Sequence, residues 1–329
     1  MKSTDKPLVA IHCLVYNHEP YLRKCLDSFV MQQTNFPFVA IVHEDASTDN
    51  SAKIIREYEQ KYPNIIKPIY ETENQYSKPD GRLIFIMQDA ILATGAKYVA
   101  ICEGDDFWTD PLKLQKQVDI LENDPQLMAV VTDTSVVDRD GNIITPKLGN
   151  AVPGDKEGKY TLRDFFSMPQ HRYSTATVMY STRHYEEVNK KLLYTISPYL
   201  GDWQLWIILH SYGAFYYLDE VTSAYRTNPT SLTHTVNRVA RAKASRDICH
   251  KVADILPEEY SDIAKDLRKT GWTWVPLMMA YKAEKRYIPM LGCLIVSCFA
   301  CPQSLWNLVK NKLIHKYFSY VQIHKTTYV

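Results

Sequence analysis

Lys97–Leu114 reads KYVAICEGDDFWTDPLKL, and the fold turns on how this stretch is read. Tyr98-Val99-Ala100-Ile101-Cys102 is a short apolar run, the pattern of a strand buried on both faces. Glu103, Asp105 and Asp106 follow at its C-terminal edge. Carboxylates crowded at a strand end repel one another, and the cheapest compensation is a divalent cation on hard oxygen ligands, its shell completed by water and phosphate oxygens. The acids alone leave a second reading open, a solvated turn capping the helix that starts near Asp110-Pro111.

Working outward, Leu8 to Tyr16 reads as a first buried strand, and Asn17-His18-Glu19-Pro20 turns the chain into a helix. Leu22, Cys25, Leu26, Phe29 and Val30 recur at helical spacing and give that helix one apolar face. Phe38–Val42 is a second strand, ending in Glu44-Asp45-Ala46-Ser47-Thr48-Asp49, and a helix with Ile54, Ile55, Tyr58 and Tyr62 inward follows. Ile65–Tyr70 is a third strand and Arg82–Ala93 a third helix, so the pattern up to Cys102 is βαβαβαβ. Such alternation predicts an α/β fold, a mostly parallel sheet flanked by helices. Ligands of open sheets bind beyond the carboxyl ends of the strands, where Tyr16, Asn17, Glu19, Asp45 and Glu103–Asp106 all fall. Some of Ser47, Thr48 and Asp49 are expected to cap the next helix, leaving Asp45 freer to meet a ligand.

Past the acidic cluster, Leu112, Gln115, Val118 and Leu121 are helical in spacing, and Ala129–Val137 is a strand closed by an Asp140-Gly141 turn. Gly149–Gly158 reads as the least structured stretch, a mobile loop. A capped helix is expected from Tyr160 and a strand over Ser174–Tyr180. Gly201-Asp202-Trp203 opens an apolar helix with Asp202 at its N-terminus, where a carboxylate meets the helix dipole. Phe215–Leu218 and Val221–Arg226 read as a last strand pair, and from Asn237 onward the pattern is helical. The expected domains are therefore a catalytic one over 1–236, with a nucleotide-sugar half of about 1–125 and an acceptor half of about 126–236, and a helical C-terminal appendage over 237–329.

The 329 residues carry a net charge of only +1, but unevenly. No Asp or Glu follows Glu284, whereas six of the 38 basic residues do (Lys285, Arg286, Lys310, Lys312, Lys316, Lys325), leaving 32 against 37 acids, or −5, in residues 1–284. A basic, apolar tail on an acidic body suits an anionic membrane surface, and the acidic body argues against nucleic acid. Ile288–Cys301 is apolar but shorter than the roughly 20 residues that span a bilayer, so it predicts a buried or interfacial helix. Trp306, Val309, Leu313, Tyr317 and Tyr320 then share one face, as on a helix lying on a membrane or packed on protein. The N-terminus is too short in apolar run and too strand-like for a signal peptide, which gives a cytoplasmic address, peripheral at the inner membrane face if the tail binds there. Seven cysteines, an odd number, read as core residues of a reducing compartment, and Cys298-x-x-Cys301 has no second pair for zinc.

The motifs VAIHCLVYNHEPYLRKCLDSF, VHEDASTDNS, EGDDFWTDPLKLQKQ, GDWQLW and YLDEVTSAYR resemble, in order and spacing, those of bacterial family 2 glycosyltransferases of the GT-A fold, over roughly Pro7–His234. The resemblance implies inverting transfer of a sugar from a nucleotide sugar, UDP-linked above all, to an acceptor hydroxyl, with Mg2+ or Mn2+. It places Asp45 at the nucleobase, with Glu44 and Ala46 standing where the family has Asp and Gly. It places Glu103 and Asp105 on the D-x-D pattern, Asp105 as metal ligand and Glu103 near the ribose or the metal, beside Asp106. Asp202 falls where the family has its catalytic base. Arg226 falls where it could pair with the diphosphate, His234 where it could add a metal or phosphate contact, and Arg82 near the donor. A lipid-linked saccharide or glycan of the bacterial cell surface is the implied acceptor. Two other readings stand beside it: a GT-A-fold nucleotide-binding or scaffold protein without catalysis, against which Asp105 and Asp202 argue, and a metal-dependent phosphoryl-transfer enzyme, against which the lack of a P-loop counts.

Overall fold

The computed structural model describes residues 6–78, 80–149, 152–167, 173–195, 202–227, 237–269 and 271–300. The backbone divides into two compact units, residues 1–234 and 235–329.

The first unit is built on one sheet of ten strands. β1 (Val9–Val15), β2 (Phe38–Glu44), β3 (Ile66–Tyr70) and β4 (Tyr98–Ile101) form its parallel half, in the order β3-β2-β1-β4, with α1 (Glu19–Val30), α2 (Ser51–Lys61) and α3 (Arg82–Thr94) as crossovers. Alternate β1 residues Val9, Ile11, Cys13 and Val15 form one core with Leu22, Cys25, Leu26 and Phe29 of α1 and Ile54, Ile55 and Tyr58 of α2. Those α1 and α2 positions are the ones whose helical spacing marks an apolar face, so the periodicity is satisfied by packing on the sheet. α3 packs against β1 and β2 and buries Met87 and Ile91.

The other half departs from the parallel expectation. β5 (Phe107–Trp108), α4 (Lys113–Asn123), β6 (Leu127–Val137), β7 (Ile143–Thr145), β8 (Gly158–Tyr160), α5 (Leu162–Ser167), β9 (Val178–Ser181), α6 (Tyr185–Tyr194), α7 (Asp202–His210) and β10 (Ala214–Arg226) follow in sequence. β9 lies antiparallel between β4 and β6, and β10 runs parallel to β6 but antiparallel to β5 and β8. The sheet is thus mixed. The expected strand pair at 215–226 is one continuous strand, whose register with β6 shifts between Tyr217 and Ser223 where Asp219 and Glu220 interrupt the apolar alternation. The 149–158 segment holds a 3₁₀ turn at Pro153–Asp155 and buries Val152, and the expected helix at 160 starts after β8, with Thr161 and Asp164 bonding reciprocally as a capping pair.

Much of EGDDFWTDPLKLQKQ is structural. The Trp108 indole N–H donates to Ala176 O at 3.0 Å and its ring lies 5.0 Å from that of Phe29. Lys113 is fully buried, donating to Gln117 Oε1 and Thr177 O, and the Gln117 amide donates to Val130 O and Thr177 O. These bonds fix the segment after the acids against the short turn before β9.

The second unit contains α8 (Arg238–Ile255), α9 (Ser261–Lys269), α10 (Gly271–Ala283) and α11 (Tyr287–Ala300). Asn237 caps α8 by accepting from Ala240 N, and Val239, Ala242, Leu277, Met278, Tyr281 and Cys293 form its core. No helix among the described residues is long and apolar enough to cross a membrane. The amphipathic face read over 306–320 lies outside the described residues, as does Cys301.

Candidate active site

The carboxyl ends of β1, β2 and β4 bring together three turns far apart in sequence. Asn17 takes a left-handed φ of 56°, and its Oδ1 accepts from the backbone N–H and hydroxyl of Thr48. Glu19 accepts from the backbone N–H and side-chain amide of Asn50, and Asp49 accepts from Glu19 N and Ser51 N, so it caps the starts of α1 and α2 at once. Asn17 and Glu19, expected at the nucleotide, therefore join the first two turns to each other, while Tyr16 stays exposed.

Asp45 corrects the expectation that it is the freer group. It is buried, and its Oδ1 accepts from Gln75 N at 2.6 Å while Oδ2 accepts from Tyr76 N at 3.0 Å and the Asn74 amide at 2.9 Å. The turn after β3 supplies those three N–H groups, and the carboxylate pins it over the sheet edge. Ala46 holds a φ of 58°, a conformation that suits glycine and strains a residue with a Cβ. The Ala-for-Gly exchange is therefore not conformationally neutral.

The turn after β4 is packed closely. A Cβ at Gly104 would lie 2.7 Å from His18 Nδ1 and 3.0 Å from Val15 Cγ2, so only glycine fits. Glu103 and Asp105 are half-buried and Asp106 is buried. Burial, then the charges of Asp105, Asp202 and Asp106, holds the Glu103 carboxyl well above the ordinary carboxylate range. Burial and Asp105 push Asp106 up as well, against a bond from Arg226 N at 2.8 Å. Arg226, read as a diphosphate partner, is buried, and its guanidinium donates to Asp105 O, Asp138 O and Arg139 O while lying 4.6 Å over the Tyr21 ring. It buttresses the acidic turn from behind. Arg82, exposed at the start of α3, pairs with Asp80 at 3.2 Å.

Asp202 is the first residue of α7. It keeps contact with solvent, yet the protein packed around it pushes its carboxyl up to about 6 by desolvation. Its charge acts on Glu103 and on the Tyr76 hydroxyl, which Glu103 also influences. Residues 76, 103 and 202 thus share one electrostatic neighbourhood at this edge. Tyr76, half exposed on the turn that Asp45 pins, was not foreseen, nor was His18, whose ring lies against Gly104 and feels Asp105. A bulky aromatic in the short N-Q-Y-S segment is the one sequence signal for Tyr76. His234 lies outside the described residues.

Hard oxygen donors crowded until the Glu103 and Asp106 carboxyls resist ionisation fit a divalent cation. Among the described residues no group of three or more His, Cys, Asp or Glu side chains is placed to hold a metal ion.

The sheet and its flanking helices have the GT-A fold that the sequence motifs imply. The family model for glycosyl transferase family 2 matches residues 11–185, more than half of the chain, and the protein belongs to that family. An uncharacterised protein of Mycobacterium tuberculosis is 39% identical over 133 residues, 40% of this chain and 37% of its own length. The chondroitin synthase of Escherichia coli is 27% identical over 139 residues, 42% of this chain and 19% of its own. The chain therefore spans well under half the length of these relatives. Among solved structures, S. aureus TarS in complex with UDP-GlcNAc is similar at a TM-score of 0.55 with 15% identity, covering 83% of this chain and 79% of that one. The mannosyltransferase PcManGT of Pyrobaculum calidifontis, in complex with GDP-Man and Mn2+, is similar at 0.54 with 16% identity, covering 97% and 83%. At such identities the two structures share the fold.

Proposed function

We propose that the chain moves a glycosyl group, with inversion, from a nucleotide sugar, UDP-linked above all, to an acceptor hydroxyl in bacterial cell-surface polysaccharide synthesis. The observation that carries this reading is the Asp202 carboxyl, at a helix start, electrostatically coupled to Glu103 across the edge. In the proposal, residues 1–125 hold the donor and 126–236 present the acceptor. Asp202 takes the proton of the acceptor hydroxyl as its oxygen attacks the anomeric carbon and the bond to the diphosphate breaks. A carboxyl with a pKa near 6 is ionised at neutral pH and still basic enough to help.

Asp105 and Glu103 are the proposed holders of Mg2+ or Mn2+, with His234 as a further contact. A divalent cation bound there would neutralise charge on the departing diphosphate. Asp106 and Arg226 position the turn that carries them, and Tyr76 faces the donor. The Mn2+ and nucleotide sugars named for PcManGT and TarS support this assignment. The proposed acceptor is a glycan or lipid-linked saccharide reached from the inner face of the cytoplasmic membrane.

The test is release of nucleoside diphosphate from UDP- and GDP-sugars with Mn2+ and a bacterial lipid extract as acceptor source. Release that needs the extract and is lost in Asp202→Asn supports transfer. Nucleotide binding without release in any combination would replace it with the scaffold reading.

A further inference from the structure

The sequence from Tyr287 to Val309 carries no charged residue, and its first 14 residues form α11. One side of that helix is covered: Met290, Cys293 and Leu294 pack with Leu277, Met278 and Tyr281 of α10. The other side is exposed among the described residues. Ile288 (86% exposed), Leu291 (50%), Ile295 (58%) and Phe299 (87%) recur every three or four residues, which is one stripe along the helix. Isolated apolar side chains on a surface need no explanation, but four in a continuous stripe mark a contact surface.

Charge selects the occupant. Lys282, Lys285 and Arg286 are exposed at the N-terminal end of the stripe, where Glu284, 3.6 Å from Arg286, offsets one of the three charges, and every charged residue after Glu284 is basic. Two copies meeting through this face with their helices parallel would bring these cations together. An anionic lipid surface satisfies both features, taking the apolar side chains below its headgroups and the cations at their level. The 14 described residues of the helix are fewer than a span needs, and in the proposal they lie in the plane of the interface, with Tyr287 at the headgroup boundary where aromatic rings concentrate.

We propose that the Ile288–Leu291–Ile295–Phe299 stripe of α11, rimmed by Lys282, Lys285 and Arg286, docks the chain on an anionic bilayer. The docking deepens the membrane-facing part of the reading above, yet needs neither donor nor acceptor, so it stands or fails apart from the transfer reaction.

The experiment is co-sedimentation of the full chain with vesicles of phosphatidylcholine alone or mixed with phosphatidylglycerol, at low and high salt. The wild type is expected to bind the mixed vesicles, and less so at high salt as the cationic rim is screened. The double variant Ile288→Glu, Phe299→Glu is expected to partition on the order of tenfold or more weaker, with its thermal unfolding unchanged because both side chains are exposed. Ile143→Glu, at an exposed position of β7, is expected to bind as the wild type does. No binding to mixed vesicles, or equal partition of wild type and double variant, overturns the proposal. A concentration-dependent dimer in sedimentation velocity, dissolved by the double variant while vesicles stay unbound, would hand the stripe to a second copy instead.

Discussion

Around Glu103–Asp106 nearly every polar group is held by a neighbour, whereas Asp202 stands exposed at the first residue of a helix, its carboxyl pushed up by the desolvating protein around it. On the first side, Asp45 is fixed by the 74–76 turn, Asp106 by Arg226 N, and Arg226 by three carbonyls. Groups so engaged cannot reorient toward a ligand without breaking bonds in a buried site, which costs about 1–3 kcal/mol each. They act as a frame that presents Glu103 and Asp105. On the second side, the carboxyl is open to solvent and its affinity for a proton is set by its surroundings. A frame suits binding of a diphosphate, and a tunable carboxyl suits proton transfer.

That contrast can be broken by experiment. The largest effect belongs to Asp202→Asn, which keeps the shape and removes the base: turnover is expected to fall by about 10²–10⁴ while nucleotide affinity holds. A matching loss of affinity would mean that Asp202 belongs to the frame. Next comes Arg226→Met, which strips the donors from the carbonyls of Asp105, Asp138 and Arg139. It is expected to lower unfolding stability by about 2–4 kcal/mol in urea titration and to weaken nucleotide binding with it. An unchanged denaturation midpoint with weakened binding would return Arg226 to the diphosphate.

Smaller effects sharpen the picture. The base must be ionised, and Asp202 takes its proton as pH falls through about 6, so kcat/KM is expected to decline below that pH by about tenfold per unit. A profile flat down to pH 5, about one unit lower, would remove Asp202 from the rate. The smallest change is a gain. Ala46→Gly relieves the left-handed strain at φ 58° and is expected to raise stability by less than about 1 kcal/mol in the same urea assay, with activity retained.

The frame was legible in the sequence to the extent that it is local. Strands β1, β2 and β4 and their polar ends follow from apolar runs broken by acids, and Asp202 follows from a carboxylate at the head of an apolar helix. What the spacing could not give is which polar groups satisfy one another across 30 to 120 residues. Asp45 meets Gln75 and Tyr76, and Arg226 meets the 105–106 turn, through backbone N–H and C=O groups that every sequence possesses. Asn17, Glu19, Asp45 and Arg226, read from the sequence as ligand contacts, also fasten these turns. The antiparallel insertion of β9 between β4 and β6 was equally hidden, because a four-residue apolar strand carries no mark of its direction.

The central claim, that this edge binds a nucleotide through a cation held by Asp105, is tested most directly by titration calorimetry of UDP, GDP and dTDP with and without Mn2+, on the wild type and on Asp105→Ala. One nucleotide is expected to bind in the presence of Mn2+, to bind far more weakly without it, and to lose that dependence in the variant. Binding that is the same with and without the ion, or unchanged by Asp105→Ala, would contradict the account.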